Sequence, residues 1–122
     1  MISDLLKYYK VGSVKVKQKS MKDHAHYNVD TGTLELSTRY KTIKNRQLKE
    51  FLITILHEIY HAMDAKKYGW KKFKDMYEME MAYQIANDKD EYKDNKYEIE
   101  AEKFGQKNWS KWKTRFKKEG LI

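Results

Sequence analysis

Leu48-Lys49-Glu50-Phe51-Leu52-Ile53-Thr54-Ile55-Leu56-His57-Glu58-Ile59-Tyr60-His61-Ala62-Met63 decides the fold. Leu48, Leu52, Ile55, Leu56, Ile59 and Met63 recur at the 3.6-residue period of a helix, and Phe51, Ile53 and Ala62 extend the apolar character almost all round. The stretch therefore predicts a buried helix, ending before Gly69. Within it lies His57-Glu58-Ile59-Tyr60-His61, an HExxH pattern. Four residues are 400° of rotation, so both imidazoles leave the same face about 6 Å apart. That spacing suits two ligands of one Zn²⁺. Glu58 stands beside the first, where its carboxylate can reach a water at the ion without binding the ion itself, the position of a general base. Burying three polar residues without compensation would cost several kcal/mol, and a metal supplies the compensation. In a shuffled chain of this composition the pattern arises about once in a hundred trials.

Working outward, the helix is followed by a second over residues 70–86, carried by Trp70, Phe73, Met76, Tyr77, Met81 and Ile85. A polar loop spans 87–95, and a third helix over 96–117 has a stripe through Tyr97, Ala101 and Phe104. Before the helix, residues 2–9 read as a short helix, and residues 11–17, 24–29 and 33–37 alternate with period two. Asp30-Thr31-Gly32-Thr33 is a tight turn. The expectation is an antiparallel meander of three strands, then helices: an α+β fold in one domain, 1–122, with helix and sheet in 1–45 and the helical part in 46–122.

Composition bounds the function. The 122 residues suffice for one core, and Cys is absent, so any metal must be held by His and carboxylates. No run of eighteen apolar residues exists, so no membrane span is expected. Met1-Ile2-Ser3-Asp4-Leu5-Leu6 lacks a charged start before an apolar stretch, and the cytoplasm is the expected location. The net charge is +8, with both ends basic. This leaves a basic nucleic-acid-associated or regulatory protein with structural zinc as the alternative function, but no zinc-finger, RRM or KH signature accompanies the charge and Lys far outnumbers Arg. His24 and His26 alternate on one strand and form a second, weaker metal candidate. Asp64 shares the face of His57 and His61 and is expected in water.

The positions three and six after His61 hold Asp64 and Lys67, which excludes the metzincin pattern. The chain instead resembles the gluzincin metallopeptidases: HExxH at 57–61, then Glu98-Ile99-Glu100-Ala101-Glu102-Lys103-Phe104 on a later helix. At this length it is most similar to the soluble archaeal minigluzincins, of the projannalysin and proabylysin kind. The resemblance implies Glu98 as third zinc ligand on a glutamate helix. Glu102, one turn on, stands in place of the usual Asp that orients a liganding His. It implies a zincin-like fold and zinc-dependent endopeptidase activity on an extended peptide, paired antiparallel to an edge strand that would be Thr33–Ser37. It also implies latency as a zymogen, with the aromatic C-terminal stretch of Trp109, Trp112 and Phe116 as the obstructing segment. A Tyr or His should stabilise the oxyanion; Tyr97, Tyr92 and Tyr83 are candidates.

Overall fold

A computed structural model describes the backbone of residues 1–122 and every side chain except those of Lys41 and Thr42. Four helices, α1 (Ile2–Tyr8), α2 (Leu48–Tyr68), α3 (Trp70–Ala86) and α4 (Lys96–Lys118), accompany three strands, β1 (Lys15–Lys19), β2 (Ala25–Asn28) and β3 (Thr33–Ser37). The class is α+β. α2 is the central element: Phe51, Leu52, Ile55, Leu56 and Ile59 are fully enclosed, each worth about 1.5–3 kcal/mol of burial. The sheet and α4 both pack on α2, and α3 packs back on it after the break at Gly69, whose φ of 86° only glycine adopts readily.

The sheet is mixed rather than an antiparallel meander. Its order is β1-β3-β2, with β1 parallel to β3 and β2 antiparallel to it. Residues 29–32 close the β2–β3 hairpin, one residue earlier than the expected turn at 30–33, but β1 crosses to the far side of β3. The physical reason lies in what each strand can bury. β1 is Lys-Val-Lys-Gln-Lys and wholly exposed, fit only for an edge. β3 carries Leu34 and Leu36, both buried against α2 with Ala25 and Tyr27 of β2. Thr33–Ser37 is therefore the central strand, paired on both sides, and no longer available as the edge for a substrate. The edge near α2 is β2.

A second correction concerns the C-terminal stretch. Trp112 and Phe116 are fully buried and belong to the main core. The Trp112 indole N–H donates to the Tyr9 hydroxyl at 2.9 Å, and its ring meets Tyr8 edge-on, so α4 clamps the N-terminal helix. These aromatics serve as core, not as a plug. Among the described residues no helix is long and apolar enough to cross a membrane.

Candidate metal centre

The site is assembled where the middle of α2 meets the first turn of α4. His57 and His61, one turn apart on α2, have ring centroids 5.0 Å apart. Glu98 comes from α4, whose start is fixed by two contacts. The Asn95 side chain, fully buried, accepts the backbone N–H of Tyr97 at 2.9 Å as an N-cap. Glu80 of α3 accepts the N–H of Lys96 at 2.8 Å. Glu98 is then the third helical residue, at the positive end of the helix dipole. Its Oε1 lies 2.7 Å from His57 Nε2 and 2.9 Å from His61 Nε2. Its Oε2 accepts a hydrogen bond from the Tyr77 hydroxyl of α3.

His57, His61 and Glu98 are all buried, and their ligand atoms lie within 4.8 Å of one another. Two imidazoles and a carboxylate are a donor set that zinc accepts. Ligand atoms about 2.0–2.1 Å from a tetrahedral ion stand about 3.4 Å apart, a few tenths of an ångström wider than the two contacts here. The two carboxylate–imidazole contacts must lengthen to admit an ion, and the donor set itself suits a divalent one.

The electrostatics agree. Burial pulls the His57 imidazole down, but the hydrogen bond to Glu98 and the charges of Glu58, Glu98 and Glu102 outweigh it, and the net shift is upward. Burial pushes Glu98 up, yet the bonds from both histidines and Tyr77 hold it well below the carboxylate range. The cluster thus keeps Glu98 ionised between two imidazoles.

Glu58 points from α2 toward the sheet rather than toward α4. Its Oε1 accepts the backbone N–H of Tyr27 in β2 at 2.7 Å, while Oε2 stays 3.7 Å from His57 Nε2. Burial raises its pKa against the lowering effect of His61, His57 and the Tyr27 amide. A carboxylate so placed is a better proton acceptor than an exposed one.

Two cavities flank His57. One of about 560 Å³ runs past His24, His26, Thr54 and Glu58, and one of about 660 Å³ past Glu98, Ile99 and Lys103. Tyr92 and Glu102 line both. Tyr92 is held there by the 87–95 loop, in which Asp90 accepts the N–H groups of Tyr92 and Lys93. Burial first, then Glu98, Glu58 and Glu102, push the Tyr92 phenol well above its usual range, so it stays a donor. Tyr97 packs against Phe73 and Tyr77, and Tyr83 lies exposed on α3; neither lines these cavities. Glu102 Oε1 is 3.8 Å from His57 Nδ1, beyond hydrogen-bonding range. Asp64 is half-buried rather than in water, with one carboxylate oxygen fully enclosed and unbonded, as is His61 Nδ1.

His24 Nε2 is 3.7 Å from Glu50 and His26 Nδ1 is 4.0 Å from Glu58, and neither belongs to a three-residue metal cluster among the described residues. Tyr77 carries no signal of its own: it is one tyrosine among ten, on a helix whose apolar stripe already accounts for it. Compared with known proteins, the chain matches no family model, no curated protein and no solved structure.

Proposed function

We propose that the chain is a zinc-dependent endopeptidase of the gluzincin type. The supporting observation is the convergence of buried His57, His61 and Glu98 beside a buried Glu58, at the junction of two cavities. Each of the three side chains brings a donor atom to one buried point, the arrangement a divalent ion requires. His57 Nε2, His61 Nε2 and Glu98 Oε1 would hold the ion. When bound, a divalent ion supplies Lewis acidity that polarises a scissile carbonyl and lowers the pKa of water.

The remaining chemistry belongs to the chain. Glu58 Oε1 is fixed by the Tyr27 amide, which leaves Oε2 to take a proton from the attacking water and return it to the departing amine. Tyr92, on the wall of both cavities, is the tyrosine placed to donate to the oxygen that gains charge. An extended peptide would lie along β2. Its Tyr27 N–H is taken by Glu58 and the Val29 carbonyl just beyond it by the Trp70 indole N–H, so a peptide would pair toward the Ala25 end of the strand.

The test is Glu58→Gln. Hydrolysis of an unstructured protein substrate should fall by several orders of magnitude while metal content stays at that of the wild type. Undiminished hydrolysis by the variant would end the assignment of Glu58 as base.

A further inference from the structure

The two oxygens of Glu98 have separate partners. Oε1 faces both imidazoles at 2.7 and 2.9 Å, and Oε2 is bonded to the Tyr77 hydroxyl. We infer that Tyr77 is a positioning residue that holds Glu98 as a one-oxygen ligand, keeping a corner of the metal free. The inference rests on the metal-centre reading above and deepens it.

Tyr77 is built to hold its place. It sits one turn after Phe73, the only fully enclosed aromatic of α3, and its ring meets Phe73 at 6.1 Å, Tyr97 at 6.2 Å and His61 at 6.2 Å between centroids. With the ring wedged among three others, the hydroxyl has one direction to point, toward Glu98. A carboxylate bonded on Oε2 cannot also turn that oxygen to the ion. Two oxygens on the ion would fill the position that water or a scissile carbonyl must occupy. The contact also ties α3 to the centre: α3 buries few other side chains, and this bond gives its position a chemical consequence.

Tyr77→Phe removes one oxygen atom and leaves the ring packing. Zinc affinity measured by chelator competition is expected to fall tenfold to a hundredfold, the usual effect of removing the support of a metal ligand. The Tm of the metal-free protein should change little. In cobalt(II)-loaded protein, visible absorption should weaken in the variant, as coordination rises above four. Phe73→Leu is the control, since it loosens the same packing without touching the bond; it should lower Tm and leave zinc affinity within a few-fold of wild type. Unchanged zinc affinity and an unchanged cobalt spectrum in Tyr77→Phe would overturn the inference and leave the peptidase reading standing. An equal loss of affinity in Phe73→Leu would overturn it too, because the effect would then be packing. Wild-type protein that binds no zinc would remove the metal-centre reading itself.

Discussion

Replacing Gly105 with alanine sets helix propensity against helix packing. At an exposed helical position the change would stabilise the protein by about 1 kcal/mol. Gly105 faces α2, however, and a Cβ built there falls 2.6 Å from the backbone oxygen of Ile53 and 3.3 Å from its Cγ2. The obstacle is helical backbone, which cannot swing aside. Ordinary contact starts at 3.4 Å, so the two helices must part by about 0.8 Å, the difference between these distances. Overpacking of this kind costs about 1–3 kcal/mol. Set against the propensity gain, the net is a loss of roughly 0–2 kcal/mol. The displacement also reaches the centre. Glu98 lies seven residues before Gly105, two turns along the same face of α4, and its contacts to the histidines are only 2.7 and 2.9 Å long. Zinc affinity should therefore drop by about an order of magnitude. Urea denaturation gives the first quantity and chelator competition the second. A variant more stable than wild type, with zinc affinity unaltered, would refute the claim that this glycine sets the spacing between α2 and α4.

Other substitutions and conditions probe separate parts of the account. Asn95→Ala should cost about 1 kcal/mol as a lost N-cap and weaken zinc binding, since Glu98 rides on the turn that Asn95 starts; thermal melts with and without zinc measure both. Trp112→Ala should destabilise by about 3–5 kcal/mol without raising peptidase activity, whereas activation on removing this side chain would restore the plug. For metal-free protein, Glu98 has a depressed pKa, so its stabilising contribution is present above the ordinary carboxylate value and is lost as pH falls through the lower folded value. His57 has a raised pKa, so its contribution is complete below 6.5 and fades as pH rises through the folded value. Melts in chelator across pH should show this pair contributing most between those limits, and zinc affinity should climb with pH as the His57 proton is displaced.

The part of the site written in local periodicity was legible in the sequence. His57, Glu58 and His61 interrupt the most apolar helix at a spacing that only a shared face explains, and α3 falls at Trp70–Ala86 as the stripe of apolar residues predicts. Glu98 became visible only through a resemblance to the gluzincin pattern, because an acidic helix turn has no periodic signature of its own. Strand pairing was not legible. Alternation marks β3 as a strand, but which neighbours it takes depends on β1 having nothing to bury, a comparison between strands rather than a property of one. The alternation at residues 11–17 misplaced β1 as well: Val11 is buried at the turn that closes α1, where its N–H reaches the Leu6 carbonyl, and pairing begins at Lys15. Trp112 and Phe116 read as a plug through the resemblance alone, because their partner, α1, lies more than a hundred residues away in the chain. Tyr77 was hidden because hydroxyl direction depends on three rings from three helices.

Metal stoichiometry tests the central claim most directly. Purified protein, loaded with zinc and dialysed, should retain one zinc per chain by elemental analysis, and His57→Ala, His61→Ala and Glu98→Ala should each retain far less. Wild-type protein that retains none, or a His61→Ala variant that retains its full zinc, would contradict a centre built from these three residues.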